Sequence, residues 1–252
     1  MAGHSKWANI KFRKAAKDSK KGKIFTKLSR EITVATRSST ADTSTNARLR
    51  AAIDKALAHN MTKDAIDRAI KRGTGDNNSQ ALEEIRYEGY GPYGVAILVD
   101  CMTDNRNRTV SQVRHAFSQL GGNLATAGSV SYMFNKIGQI ILTSALNQAQ
   151  AMELAIDAGA TEVDITSTGN ITIETPADHY LHIKHILEQA GFQAAVAELT
   201  MVANNAVPLD IESSKTILKL IDTLEDLDDV QTVYSNADLA EEIIQDNAYF
   251  GS

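Results

Sequence analysis

The chain has 252 residues, of which 43% are hydrophobic, 23% charged and 6% aromatic. This length exceeds what one hydrophobic core usually serves and predicts two or three domains. The longest apolar runs, such as Val95–Leu98, are too short to cross a bilayer, and the single cysteine, Cys101, excludes a disulfide framework and a cysteine-based zinc site. The basic first residues also lack the apolar stretch of a secretory signal. These features predict a cytoplasmic protein that does not enter a membrane.

Charge is distributed unevenly along the chain. Residues 1–75 contain 18 of the 26 Lys and Arg but only 6 of the 31 Asp and Glu, a net charge of +12. The remaining residues contain 8 basic and 25 acidic side chains, a net charge of −17. A polycationic segment attracts polyanions, and an acidic body keeps a chain in solution. The alternative of ordinary solvated helix faces is disfavoured because such faces normally carry both signs.

The basic quarter of the chain predicts a bundle of three short helices. Apolar residues recur at helical spacing between Ile24 and Ile32 and between Leu49 and Leu57. A third helix is predicted to begin after the N-cap Thr62 and to stop at Gly73, with a polar linker over 73–79.

The first 21 residues have a different pattern. On a helical wheel of about 100° per residue, six cations share one arc roughly 120° wide. They are Lys6, Arg13, Lys14, Lys17, Lys20 and Lys21, and Ala8, Phe12, Ala15 and Ser19 lie opposite. Such a segment buries little apolar surface, so we expect it to be mobile alone and ordered on a polyanion.

Beyond the linker the pattern predicts alternating strands and helices. Strands are expected at 84–88, 95–101 and 130–134, with a capping box at 109–112 opening a helix. Residues 139–202 follow the order β-α-β-β-α-β of a ferredoxin-like unit, complete in itself. A helix at 213–224 and a strand at 230–234 would then complete the sheet begun at residue 84.

The predicted fold class is therefore α+β with three domains, an N-terminal three-helix bundle and two α/β domains. Residues 1–77 form the basic helical domain, and residues 78–134 with 204–252 form a discontinuous α/β domain. Residues 135–203 form the ferredoxin-like domain, inserted into the discontinuous one.

Several patterns that suggest catalysis or cofactors have simpler interpretations. The glycines of Gly89–Gly94 match a dinucleotide fingerprint, but a predicted strand follows them, so a hairpin turn explains them better. His179, His182 and His185 lie three apart on a predicted helix, a spacing that fans them around the helix away from any one metal. The acidic residues 225–229 lack the glycine turn of a calcium loop and are expected to be solvated. We therefore predict no enzymatic activity, no cofactor and no metal.

The candidate binding residues are cations that neutralise phosphates and one aromatic ring that can stack on a base. Phe25 is expected in the core instead, beside Ile24 and Leu28. Arg106 and Arg108 precede a predicted helix N-terminus, where either phosphate binding or ordinary capping explains them equally well. The predicted nucleic-acid-binding residues are Lys6, Trp7, Lys11, Arg13, Lys14, Lys17, Lys20, Lys21, Lys23, Lys27, Arg30, Arg106 and Arg108.

Four segments of the sequence closely resemble the YebC family. They are MAGHSKWANIKFRKAAKDSKKGKIFTKLSREITVATR, AIDKALAHNMTKDAIDRAIKRGTG, EEIRYEGYGPYGVAILVDCMTDNRNRTVSQVRHAF and GGNLATAGSVSYMF, and they span most of residues 1–134. The family usually has His and Gly at the positions where this chain has Phe12 and Tyr93. The resemblance implies a three-domain protein described as a probable transcriptional regulator, related to a mitochondrial translational activator of cytochrome c oxidase.

Residue chemistry and the family resemblance together predict a non-enzymatic regulator that binds the phosphate backbone of nucleic acid through its basic N-terminal domain. The family description favours DNA and transcription. The alternative is a translation factor that binds ribosomal RNA and assists particular messages, because a polycation with few base-reading side chains specifies little sequence. A basic protein is a further expected partner, for the acidic domains, and a monomer is slightly favoured over an oligomer.

Overall fold

The computed structural model describes residues 21–75, 82–143, 147–166 and 169–245. The described chain forms two compact units. The first contains its residues from 21 to 130 and from 215 to 233, and the second those from 131 to 214 and from 234 to 245. The predicted basic segment over residues 1–20 lies outside the described residues, as does most of the predicted linker. The predicted division into three domains stays a prediction.

Three helices open the first unit and confirm the predicted bundle. They are α1 (Lys21–Ser38), α2 (Ala47–Ala58) and α3 (Lys63–Thr74). Their apolar faces share one core that includes Leu28, Ile32, Leu49 and Ile66. Phe25 packs against this core, as predicted.

The end of α3 differs from the prediction. The helix continues through Gly73 to Thr74, and Gly75 takes the left-handed C-cap conformation with φ of 94°. Gly73 serves packing instead, because a Cβ there would lie 2.5 Å from the Cβ of Thr36 on α1. The bare backbone of Gly73 lets α3 approach α1 closely, so its role depends on a neighbour distant in sequence.

A four-stranded sheet forms the rest of the first unit, in the order β3-β1-β2-β9. The strands are β1 (Glu83–Tyr90), β2 (Ala96–Thr103), β3 (Asn123–Leu124) and β9 (Val230–Ser235), the last extending two residues beyond the unit. Two helices accompany them, α4 (Arg106–Gln119) and most of α7 (Ile211–Glu225). The sheet therefore combines early and late strands of the chain, as predicted.

The start of α4 corrects one prediction. The helix begins at Arg106 with Asn105 as its N-cap, whose side chain accepts a hydrogen bond from the Arg108 backbone N–H. The expected capping box at 109–112 therefore lies inside the helix, where Thr109 is fully buried. Asn105 is an equally good cap and stands one turn earlier.

A hairpin joins β1 to β2 at the glycine-rich motif, as predicted. The strands pair antiparallel from Glu83 opposite Thr103 to Tyr90 opposite Ala96. The turn contains a short 3₁₀ helix, Pro92–Gly94, and the Gly91 N–H donates to the Val95 carbonyl at 2.8 Å. Tyr93 has a left-handed backbone with φ of 63°, at the position where the resembling family has glycine.

Tyr93→Gly is expected to stabilise the protein by up to about 1 kcal/mol. A left-handed residue with a Cβ costs roughly 1–2 kcal/mol, and the extra freedom of glycine in the unfolded chain offsets about half of this. Tyr93 is 56% exposed, so removal of its side chain loses little packing. Urea denaturation measures the change. Tyr93→Ala keeps a Cβ at this left-handed φ, so its free energy of unfolding should equal that of the wild type. Equal stabilisation by both substitutions would contradict the assignment of backbone strain to Tyr93.

The second unit contains the predicted ferredoxin-like arrangement. Its sheet has the order β5-β6-β4-β7 with antiparallel neighbours, and two helices pack on one face. The core includes Ile140, Ile173, Ile183 and Leu187. The elements are β4 (Phe134–Leu142), α5 (Gln148–Asp157), β5 (Glu162–Ile165), β6 (Ile171–Pro176), α6 (Tyr180–Gln189) and β7 (Ala194–Ala203). This topology confirms the α+β class.

Two smaller features complete the second unit. The prediction of a strand at 130–134 is wrong, because Ser131–Met133 is a 3₁₀ turn. The strand β4 begins at Phe134, five residues before the strand that was predicted to start at 139. A short parallel pair joins β8 (Val207–Pro208) to β10 (Ala237–Asp238), and α8 (Glu241–Gln245) ends the described chain.

Candidate nucleic-acid interface

The predicted binding residues divide into two groups. Five of them have described side chains: Lys23, Lys27, Arg30, Arg106 and Arg108. The side chain of Lys21, the first residue of α1, lies outside the described part of the chain. The same holds for the whole of Lys6, Trp7, Lys11, Arg13, Lys14, Lys17 and Lys20.

Lys23, Lys27 and Arg30 form what we call the basic face of α1. Their spacing of four and three residues places them along one side of the helix. All three reach residues 225–229, the link between α7 and β9, which we call the acidic turn. The fold therefore places the acidic turn against the basic face of α1.

Two of these contacts are made by lysines. The Lys23 Nζ lies 2.9 Å from Oδ1 of Asp226, and both side chains are about half exposed. The Lys27 Nζ donates to the backbone carbonyl of Glu225 at 3.1 Å. That carbonyl belongs to the last residue of α7, where the helix dipole is negative. Charged oxygen and helix end together attract the two ammonium groups.

Arg30 makes the deepest contact of the basic face. Its Nη1 donates to Oδ1 of Asp229 at 2.8 Å and to the Met102 carbonyl at 3.2 Å, and it also meets the Asp228 carbonyl. Only 2% of the Asp229 side chain is exposed, against 20% of the Arg30 side chain. The guanidinium of Arg30 thus links α1 to the end of β2 and the start of β9.

Asp229 also holds Arg108 and two hydroxyl groups. The Arg108 Nη2 lies 2.7 Å from Oδ2 of Asp229 and 2.7 Å from Oδ1 of Asp104. The hydroxyls of Thr109 and Thr103 donate to the same Oδ2 at 2.7 and 3.1 Å. One buried carboxylate is therefore satisfied by two guanidinium groups and two hydroxyls, as buried charge requires.

These partners set the ionisation of the site. Burial alone would raise the pKa of Asp229, but hydrogen bonds from Arg108, Thr109 and Thr103 and the charge of Arg30 lower the pKa below its ordinary value. Hydrogen bonds to Asp229 and Asp104 raise the pKa of Arg108. The Asp229 carboxylate and the Arg108 guanidinium are therefore both charged at neutral pH.

The environment of Asp229 corrects the prediction that residues 225–229 are simply solvated. Asp226 and Asp228 are exposed, but Asp229 is buried and ion-paired. Sequence reasoning missed Asp229, Thr103 and Thr109 as members of the site. The available signal was position, since Asp229 directly precedes the apolar start of β9 and a carboxylate beside a buried strand needs partners.

Arg106, the fifth described candidate, stands apart from Asp229. Its Nε lies 3.6 Å from Oε2 of Glu83, and both side chains are more than half exposed. Other exposed cations that the sequence pattern did not indicate lie on the bundle: Arg37, Lys63, Arg68 and Lys71.

The described residues offer little for other chemistry. Among them, no three His, Cys, Asp or Glu side chains are grouped in a way that could hold a metal ion, and His179, His182 and His185 are exposed. Cys101 is 2% exposed, as predicted for a core residue, and burial, with nearby Asp100 and Asp229, raises the pKa of its thiol to about 12. No described helix is both long and apolar enough to cross a membrane.

Two family models together match most of the chain. Residues 5–76 match the TACO1/YebC protein N-terminal domain, and residues 82–237 match the TACO1/YebC second and third domain. These matches define a multi-domain protein, and the chain belongs to the TACO1/YebC family. The resemblance seen in the sequence is thereby confirmed.

Relatives share both the sequence and the fold. A "probable transcriptional regulatory protein" of Idiomarina loihiensis is 57% identical over 97% of this chain and 98% of its own. One of Legionella pneumophila, with the same kind of name, is 56% identical over 97% and 99%. A crystal structure of a conserved hypothetical protein from Aquifex aeolicus is 41% identical and covers 91% of this chain and 95% of its own, with a TM-score of 0.82. The relatives from Idiomarina loihiensis and Legionella pneumophila are thus both named as probable regulatory proteins.

Proposed function

We propose that this protein is a non-enzymatic, cytoplasmic regulator that binds nucleic acid by contacting the phosphate backbone through residues 1–77. The observation that carries the proposal is the net charge of +12 on residues 1–75, within a chain whose overall charge is −5. Lysine and arginine side chains neutralise phosphates and release condensed counterions. The relatives' names support a role in transcription, and thus DNA as the target.

The proposed contacts fall into two sets. Residues 1–21 supply Lys6, Lys11, Arg13, Lys14, Lys17, Lys20 and Lys21, with Trp7 stacking on a base. The basic face of α1, Arg106 and Arg108 supply the second set. In this second set the side chains already have carbonyl or carboxylate partners in the protein. We assign the first contact with a polyanion to residues 1–21, on their charge, and to exposed cations on the bundle such as Arg68.

Binding should depend steeply on salt and weakly on sequence. The logarithm of the affinity for duplex DNA is expected to fall by about 0.9 per phosphate neutralised for each unit of log salt. Fluorescence anisotropy with a mixed-sequence DNA duplex and an RNA hairpin, at several salt concentrations, measures both slopes. A shallow slope with both probes would contradict the phosphate contacts.

The physiological target is tested separately. Crosslinking in cells followed by sequencing of the bound nucleic acid distinguishes DNA from ribosomal RNA directly. Recovery of chromosomal DNA supports the transcriptional role, whereas recovery confined to ribosomal RNA would replace it with the translational one. Recovery of proteins alone, unaffected by nuclease, would instead indicate a scaffold whose acidic residues 76–252 hold a basic protein partner.

A further inference from the structure

The contacts along the basic face of α1 form a gradient of burial. Lys23 and Asp226, nearest the start of the helix, have side chains that are 40% and 51% exposed. Seven residues further along α1, Arg30 meets Asp229, whose side chain is 2% exposed. The same acidic turn therefore holds α1 loosely at one end and firmly at the other.

The two ends differ in how easily they can exchange partners. An exposed ion pair contributes little, because water and salt screen it and both side chains lose rotamer freedom. A buried pair is costly to break, because either partner is left as an uncompensated charge in the interior. Lys23 can therefore leave the acidic turn far more readily than Arg30 can leave Asp229. The Lys27 contact is part-buried but goes to the neutral carbonyl of Glu225, not to a buried carboxylate.

The acidic turn also presents the chemical groups that a phosphate backbone presents. The Asp226 carboxylate is an anionic oxygen 2.9 Å from one ammonium, and the Glu225 carbonyl is an oxygen acceptor 3.1 Å from the next. Both ammonium groups stand one helical turn apart on the same side of α1. Oxygen ligands at these positions can be replaced by phosphate oxygens without rearranging the helix.

We propose that the acidic turn is a built-in competitor for nucleic acid, covering Lys23 and Lys27 in the free protein. Phosphates displace it from both lysines, while Arg30 keeps its ion pair with Asp229 and can meet phosphate only through the exposed fifth of its side chain. This inference rests on the proposed function and adds a regulatory element to it. Its consequence is that the free protein binds polyanions more weakly than its cations alone would allow, because the competent state is only partly populated.

Neutralising the exposed carboxylate should weaken the competition, because Lys23 then keeps only its 3.0 Å hydrogen bond to the Asp226 backbone carbonyl. Asp226→Asn is expected to raise the affinity for a mixed-sequence DNA duplex by about two- to fivefold, the range that an exposed pair supports. Removing any negative charge helps polyanion binding somewhat, so the matched control is Asp54→Asn, which removes one exposed carboxylate from α2 of the same bundle. The proposal requires the gain from Asp226→Asn to exceed the gain from Asp54→Asn; equal gains overturn it.

Locking the contact should have the opposite effect. In the double variant Lys23→Cys with Asp226→Cys, a short bismaleimide links the two positions. Cys101 does not compete, since its thiol is buried and burial, with nearby Asp100 and Asp229, raises its pKa to about 12. Because Lys27 stays covered, the linked protein should bind several-fold more weakly than the same variant before linking, with a salt slope lower by about 0.9.

The outcomes separate the inference from the proposed function. Unchanged binding after linking, in a protein that still binds DNA with a steep salt slope, overturns the competition alone. Absence of binding by the wild type and by every variant, to duplex and RNA hairpin alike, overturns both. Weaker binding after linking together with tighter binding by Asp226→Asn supports both.

Discussion

We expect removal of residues 1–20 to lower the affinity for duplex DNA by at least about a hundredfold at low salt. The deletion takes away six cations and one acid, while α1 remains whole from Lys21. Each phosphate that is no longer neutralised reduces the salt slope by about 0.9 and weakens binding most at low salt. Salt titrations of the truncated and full chains, by anisotropy on the same duplex, measure both changes.

Two controls make the deletion specific. A full-length variant with its six cations in residues 1–20 replaced by glutamine should lose the same affinity and slope, whereas Trp7→Ala should lose affinity with no change in slope. Thermal unfolding of the truncated chain checks that the bundle remains folded. A truncated, folded chain that binds as tightly as the full one would remove residues 1–20 from the proposed interface.

The second large effect is expected on stability. Asp229→Ala should lower the free energy of unfolding by about 3 kcal/mol, because it leaves Arg30 and Arg108 without their shared carboxylate. Breaking a buried ion pair usually costs about 3–5 kcal/mol. We expect the lower value, because the Arg108 side chain is 43% exposed and water partly replaces the missing carboxylate. Asp226→Ala, which breaks only the exposed pair to Lys23, should cost less than about 1 kcal/mol.

The same carboxylate predicts a dependence on acid. The pKa of Asp229 is lower in the folded protein than in the unfolded chain, so the folded state binds its proton less readily. Its contribution is therefore complete above about pH 4 and is lost as pH falls through the folded-state pKa. Urea denaturation between neutral pH and pH 3 should show a smaller loss of stability in Asp229→Asn than in the wild type; parallel curves would contradict the assignment.

Features decided by neighbouring residues were predictable from the sequence. The spacing of Leu28 and Ile32, and of Leu49 with its alanines, defines the helices of the bundle because periodicity alone chooses the buried face. The hairpin follows from the glycines flanking Pro92, and the ferredoxin-like order follows from the succession of elements. The terminus of α3 was not predictable, since Gly73 is placed by Thr36 of another helix and not by its own cap chemistry.

The candidate site was predictable only in its cations. Charge segregation selects Lys23, Lys27 and Arg30, but nothing local shows that a carboxylate 199 residues away neutralises Arg30. In the sequence, Asp229 belongs to a run of acidic residues that all look equally solvated. Asp229 is buried because it directly precedes the strand β9. Long-range ion pairs depend on tertiary packing, which hydrophobic period and charge count do not encode.

The separation between Arg30 and Asp229 has a consequence for the newly made protein. Chains are synthesised from the N-terminus, and domains fold as they emerge. The core of the bundle is complete once its first 75 residues are available, whereas the carboxylates of residues 225–229 appear only when nearly the whole chain has been translated. Throughout that interval the nascent bundle lacks these counter-charges, in surroundings rich in RNA.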